Sequence, residues 1–301
     1  IAYVSDASGE EEIYLINQDG TGKPEQITSG SKAFIFGLDW SPDGKKIMYT
    51  DKEGKIYVVT LSDKSKKEIA DAPINFIQGA EWAPDSAHIA YARQLPNDNT
   101  AVFIWSEKDG KTRQVTSDLF DSQSPTWDPE GNFLYFVSER EFQPQISGKE
   151  WNFATARGYG IFAMALRKDV KHPFPPESDE VTIEKKDEKK EEKKEEKKAD
   201  KKPDFSIDWD GIESRVARAP IASNNYVSLS AVKGHLLYSR AGSFYYGRES
   251  DRPTDLVIFS LSDRKETVLA ENISGYALAS SGNKVIVRQG TAINIYDATP
   301  R

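Results

Sequence analysis

The sequence predicts an all-β fold, a β-propeller of four-stranded blades. Three observations carry that expectation. A Trp-x-Pro-[Asp/Glu] turn occurs three times, in "WSPDGKKIMYT" from Trp40, "WAPDSAHIAYA" from Trp82 and "WDPEGNFLYFV" from Trp127. Its steps are 42 and 45 residues, the length of one four-stranded blade. Between the turns, short β-branched and aromatic runs alternate with clusters of Pro, Asp, Gly and Asn, the pattern of strands joined by tight hairpins.

The unit from Phe36 shows each element in order. "FGLDW" is a short strand ending on Trp40, and "SPDGK" is turn chemistry: Pro42 fixes φ, Asp43 bonds nearby amides and Gly44 accepts positive φ. "KIMYT" is a second strand, "IYVVTL" (Ile56 to Leu61) a third and "KEIA" (Lys67 to Ala70) a fourth. The unit recurs as "GAEW", "APDS", "HIAYAR", "AVFIWSE" and "TRQVTS", with Pro84 and Asp85 in the turn. It recurs again as "SPTW", "DPEG", "NFLYFVS" and, after an excursion, "GIFAMAL", with Pro129 and Gly131 in the turn. Weaker copies run from Tyr226 to Glu271 and from Ser274 to Ala298, without the Trp-Pro pair. The opening segments "IAYVSD", "EIYLINQDG" and "PEQITSG" supply three strands of a further unit. Six repeat units are therefore visible, the first and last incomplete, and the parent propeller is expected to have six or seven blades.

A four-stranded sheet cannot bury both of its faces alone, so neighbouring blades cover one another around an axis. Trp40, Trp82 and Trp127 are expected to be packing wedges between blades, with ligand stacking as the sharper alternative. The whole of 1–301 reads as one propeller domain with a charged low-complexity insertion at about 170–204. From Glu184 to Lys202 that insertion holds ten lysines and eight acids. It has no apolar face to bury and is expected to be an extruded arm between the third and fourth strands of a blade.

The composition excludes several function classes. A net charge of −8 argues against a nucleic-acid-binding surface. The absence of cysteine removes thiolate nucleophiles, disulfides and Cys-based zinc sites. No apolar run is long enough to span a bilayer, and no signal peptide is visible. The start "IAYVSDASG" reads as the middle of a strand pattern, so the chain looks excised from something longer. The strand edges left open by the two incomplete units predict association or poor stability in isolation.

No catalytic motif is present: no nucleophile elbow, zinc-binding His pair or phosphate loop occurs. His88, His172 and His235 lie in unlike contexts and read as surface or packing residues. "DWDGIE" (Asp208 to Glu213) offers too few oxygens at the required positions for a calcium loop and reads as a turn feeding a strand. Asp39 and Glu81 precede their tryptophans, but Thr126 holds the third equivalent position, which is thin support for paired catalytic carboxylates. No metal or cofactor is expected. Phe142, Trp151, Phe153, Tyr245 and Tyr246 lie in two long second-to-third-strand connections, on one propeller face, and are candidates for contact with the rest of a parent protein, with simple loop packing as the equal alternative.

The Trp-x-Pro-Asp-Gly-Lys turn resembles the repeats of the Tol-system periplasmic propeller, the prolyl-oligopeptidase propellers and the tricorn-like proteases. The central third separates them. "YGIFAMALRKDVKHPFPPESDE", the charged insertion and "FSIDWDGIESRVARAPIASNNYVSLSAVKGHLLYSR" look like the second propeller of the tricorn-like serine peptidases. That resemblance implies a non-catalytic propeller of a self-compartmentalising peptidase, acting as passage, filter and scaffold. Its partners would be peptides, PDZ-like and catalytic domains of the same parent chain, and further copies of the parent. The family's best-known form implies a cytoplasmic location, with an exported or periplasmic one as the alternative. A stand-alone protein-binding propeller like the Tol-system one is the other function reading.

Overall fold

The computed structural model describes residues 1–72, 77–141, 145–146, 153–154, 157–175, 205–243, 250 and 252–300. Among the described residues the strands form six antiparallel sheets of three or four strands and one two-stranded hairpin, and sequence order is spatial order within each. The first holds β1 (Ala2–Ser5), β2 (Glu12–Leu15) and β3 (Glu25–Gln26). The second holds β4 (Ile35–Trp40), β5 (Lys46–Asp51), β6 (Lys55–Thr60) and β7 (Lys66–Asp71). The third holds β8 (Ile77–Trp82), β9 (His88–Gln94), β10 (Thr100–Ser106) and β11 (Thr112–Gln114).

The fourth sheet begins with β12 (Ser122–Trp127) and β13 (Phe133–Glu139). A two-stranded hairpin, β14 (Gln145–Ile146) and β15 (Phe153–Ala154), then interrupts it. The sheet resumes with β16 (Tyr159–Ala165) and β17 (Val216–Arg218). The fifth holds β18 (Asn225–Val232), β19 (His235–Ala241), β20 (Asp255–Ser260) and β21 (Lys265–Ala270). The sixth holds β22 (Gly275–Leu278), β23 (Lys284–Gln289) and β24 (Ala292–Asp297). These are the six blades of a β-propeller.

The apolar core lies between blades. Alternate residues of a strand point to opposite faces, and both faces of the middle blades are apolar. Ile47, Tyr49 and Val59 meet Ile13 and Ile27 of the first blade, while Met48, Ile56 and Val58 meet Ile89, Tyr91 and Trp82 of the third. The same division repeats between the third and fourth, fourth and fifth, and fifth and sixth blades. Burying one such isoleucine is worth about 1.5–3 kcal/mol, so the stacking itself is what stabilises each sheet. Directly opposed aromatics on the second and third strands reinforce it: Tyr3–Tyr14, Tyr49–Tyr57, Tyr91–Phe103 and Phe136–Phe162 all stack.

The first blade's three strands match the second to fourth strands of the others. Gln26 Nε2 donates to Thr28 O at 2.8 Å and Thr28 Oγ1 accepts the Ile13 amide. Gln114 and Thr116 make the same pair of bonds around β10 and β11 in the third blade. The 176–204 part of the charged insertion lies outside the described residues, and 205–215 enters β17, the fourth strand of its blade.

Candidate functional site

The first strands of the blades face one another across sheets: β8 touches β4 and β12, and β12 touches β18. They are therefore the axial strands. Each of β4, β8, β12 and β18 breaks register once against its second strand, between Phe36 and Leu38, Gln78 and Glu81, Gln123 and Thr126, and Tyr226 and Ser228. Such a bulge bends a strand and re-aims the side chains after it. Gly37 (φ 51°), Gly79 (φ 60°) and Ser124 (φ 51°) occupy the first three bulges. At Gly79 a Cβ would also lie 3.3 Å from Pro125 Cδ, so glycine there lets two axial strands approach closely.

Beyond the bulge, equivalent residues form a polar collar. Asp39, Glu81, Thr126, Ser230 and Ala277 each lie opposite the second residue of the facing second-strand apolar pair, namely Met48, Ala90, Tyr135, Leu237 and Ile286. Neighbours bond across blades: Thr126 Oγ1 donates to Glu81 Oε1 at 3.2 Å, and Tyr276 and Ser230 share a hydroxyl bond of 3.1 Å. The Trp127 amide also donates to Glu81 Oε1 at 3.4 Å. Asp39 remains exposed and Glu81 partly so, yet Glu81 is enclosed by the surrounding blades. Burial pushes its carboxyl up to about 7, against the two donors, and the Asp39 charge adds to the rise. Partial desolvation of its carboxyl at the axis also raises Asp39, although the residue as a whole is exposed.

Each of Trp40, Trp82 and Trp127 ends the first strand of its blade. Trp82 (5% exposed) and Trp127 (3%) are buried between blades, whereas Trp40 is 39% exposed. The Trp127 indole packs with Ala83, Ala90, Val102 and Ile104 of the third blade, and its Nε1 donates to Glu81 O at 3.1 Å. For Trp40 the preceding sheet has three strands among the described residues, and no first strand there meets the indole. In the turns, Asp43 Oδ1 accepts from Ser41 and Lys45, Asp85 Oδ1 from Ala87 and His88, and Asp128 from Glu130 and Asn132. Pro42, Pro84 and Pro129 precede these turns' left-handed residues Gly44, Ser86 and Gly131.

The other sequence candidates fall elsewhere. Phe142, Trp151, Tyr245 and Tyr246 lie outside the described residues, as does the side chain of Phe153. Asp208 accepts the Lys168 amide and Asp210 pairs with Lys168 Nζ, while Arg215 donates to the Ala165, Leu166 and Asp210 carbonyls. "DWDGIE" is thus a basic-residue-clamped turn with a short 3-10 segment, Ile212–Ser214. His88 bonds Asp85 at 2.7 Å and packs on Phe205 and Trp209, so it supports the turn. Among the described residues no group of three or more His, Asp or Glu is arranged to hold a metal. The collar can present hydrogen-bonding and negatively charged groups to the axis. Ser230 and Tyr276 were not singled out from the sequence. The available signal was the small residue three positions before each tryptophan, which marks the bulge.

A family profile described as the tricorn protease second β-propeller domain matches residues 1–299. The chain is 22% identical over 290 residues to a tricorn protease homolog of Saccharolobus solfataricus, covering 96% of this chain and 25% of that protein. It is 23% identical over 278 residues to the tricorn protease of Thermoplasma volcanium, covering 89% and 25%. A crystal structure of the tricorn protease superposes with a TM-score of 0.79 at 16% identity, covering 98% of this chain and 28% of that one. TolB from Acinetobacter baumannii superposes with a TM-score of 0.56 at 16% identity, covering 99% and 60%. The chain thus spans about a quarter of the length of these two curated relatives.

Proposed function

The chain belongs to the family of the tricorn protease second β-propeller domain, and on that premise we propose that it is a non-catalytic propeller of a self-compartmentalising serine peptidase. In this reading the axial strands admit extended peptides, exclude folded proteins by size, and hold the catalytic part of the parent in place. The collar of Asp39, Glu81, Thr126 and Ser230 is the observation that carries it: polar side chains at one level of the axial strands, with Thr126 bonded to Glu81 and Ser230 to Tyr276 across blades. Such a lining wets a passage and gives a sliding peptide exchangeable hydrogen bonds in place of a sticky apolar wall. The partners are peptides, PDZ-like and catalytic domains of the same parent, and further parent copies, in the cytoplasm. Among the described residues no helix is long and apolar enough to cross a membrane.

The test uses the full-length parent. Ala277→Trp places an indole at collar level. Breakdown of long unfolded peptides should fall several-fold, while turnover of a short chromogenic substrate holds. Equal rates on long peptides would overturn the passage role. The chain alone should cleave neither substrate.

A second reading, a protein-docking propeller, draws on exposed Phe34, Phe36, Leu119 and Phe120, which sit where axial strands begin, on the face of the second-to-third-strand connections. Exposed aromatics on one face suit an interface. Under that reading Phe34→Ser with Phe120→Ser abolishes partner binding, and Ala277→Trp leaves all activity intact.

A further inference from the structure

The fifth and sixth blades close on each other less fully at the axis than their neighbours do. β18 makes less contact with β22 than β8 does with β12, or β12 with β18. Between β18 and β22 lies a cleft of about 450 Å³, within the range of ligand sites, about 300–1,000 Å³. Its polar wall is made of hydroxyls. Ser228 Oγ donates to Ser239 Oγ at 2.8 Å, Ser230 and the Tyr276 phenol share a bond of 3.1 Å, and that phenol donates to Leu237 O at 3.4 Å. A hydroxyl has one proton but two acceptor sites, so lone pairs remain for a ligand's donors. Val227, Ile273 and Leu278 supply the apolar wall, and among the described residues no charged side chain lines the cleft. Val227 occupies the bulge of β18, where β4, β8 and β12 have Gly37, Gly79 and Ser124. It is 57% exposed, so a β-branched apolar side chain is held out at the axis where the fold buries little of it. Among the described residues the axial edges of β18 and β22 pair with no further strand, which leaves them open to an added one.

We propose that this cleft is a peptide-backbone subsite, which holds an extended, uncharged segment with small side chains. It deepens the passage reading and rests on it for the supply of peptides. The strand edges and the hydroxyl oxygens meet the amide N–H and C=O groups of the segment, and one small apolar side chain lies against Val227 and Ile273. A charged side chain placed there loses its water with nothing of opposite charge to meet. The acidic side chains of the collar, Asp39 and Glu81, stand on the second and third blades, so a basic side chain finds its partner there instead. The axis thus has one acidic wall and one neutral wall, and the neutral wall selects uncharged stretches of a chain. A neutral sugar matches the hydroxyls but makes no use of the two open strand edges.

The test follows the methyl NMR signals of Val227, Ile273 and Leu278 as three short peptides of equal length are added. One is built of Ala, Val and Ser, the second is the same sequence with alternate amides N-methylated, and the third carries two central glutamates. The first should shift the three methyls saturably. The second and third should bind about tenfold more weakly, the equivalent of one or two lost hydrogen bonds or a charge without a partner. Val227→Asp, at an exposed position outside the core, should weaken the first peptide by a similar factor. Should the chain associate too strongly for NMR, a photoreactive amino acid at Val227 of the full-length parent reads the same preference as captured peptide. Equal binding of the three peptides, no response at these methyls, or a response to maltotriose and to none of the peptides overturns the subsite. Passage is judged separately. Binding at Val227 with long-peptide breakdown undisturbed by Ala277→Trp keeps the subsite and removes the passage, whereas slowed breakdown without binding at Val227 removes the subsite alone.

Discussion

Trp127 and Trp82 occupy equivalent places, but only Trp127 has its indole nitrogen satisfied, by Glu81 O. Trp82 Nε1 is buried with no protein partner, and Lys46 lies over its ring. A hydrogen bond is worth about 1 kcal/mol net, and a buried donor without a partner carries a penalty instead. Trp127→Phe should therefore cost about 1–2 kcal/mol more than Trp82→Phe in urea unfolding, although the volume change is the same. Equal costs would mean that the indole bond contributes nothing. Glu81 supplies a second residue-scale prediction. Its folded value of about 7 lies above that of an unfolded glutamate. It therefore contributes stability that is fully present below the unfolded value and lost as pH rises to the folded one. Unfolding free energy should fall between about pH 4.5 and 7 by about 1–3 kcal/mol, less than an isolated buried acid would give because water reaches the collar. Glu81→Gln should flatten that window.

At the scale of elements, the segment after the charged insertion packs between two blades. Phe205 meets Trp127 edge-on and lies tilted against His88, Arg113 lies over Trp209, and both rings pack on the cluster between the third and fourth blades. Replacing residues 177–203 by a Gly/Ser linker of equal length should leave the melting midpoint unchanged, while Phe205→Ala should cost about 1–3 kcal/mol. A large drop on linker replacement would show that the charged arm packs. The strands and turns of the second to fourth blades were legible because Trp, Pro, Asp and Gly each do a fixed backbone job there. In the sixth blade the same turn survives without Trp or Pro: the Gly282 amide donates to Ala279 O and Gly282 has φ 69°. Leu278 takes the tryptophan's place before it. Only the geometry is kept, so a residue pattern reads it weakly. The axial bulges were hidden for a related reason. One glycine or serine shifts a register without disturbing the apolar alternation on either side.

Across the whole molecule, the second to fifth blades pack a neighbour on both faces, whereas among the described residues the first and the sixth each do so on one. Val285 and Val287 are fully buried against the fifth blade, while Ile286, Ile293 and Ile295 on the opposite face are exposed. An apolar face of that kind drives association. Ile293→Thr with Ile295→Thr should barely change the melting midpoint and should lower the weight-average mass in concentration-dependent sedimentation; unchanged association would place the contact elsewhere. The repeat length and its turns made the ring readable from sequence. The collar was only half readable, since Asp39, Glu81 and Thr126 share a motif position while Ser230 and Tyr276 enter from blades whose motif has decayed. The role built on that collar is tested most directly by photo-crosslinking in the full-length parent during degradation of a labelled unfolded peptide. A photoreactive amino acid at Ala277 should capture the peptide, and one at Lys108, on an outer hairpin, should not. Capture at Lys108 alone, or none at Ala277 while degradation proceeds, would contradict the passage.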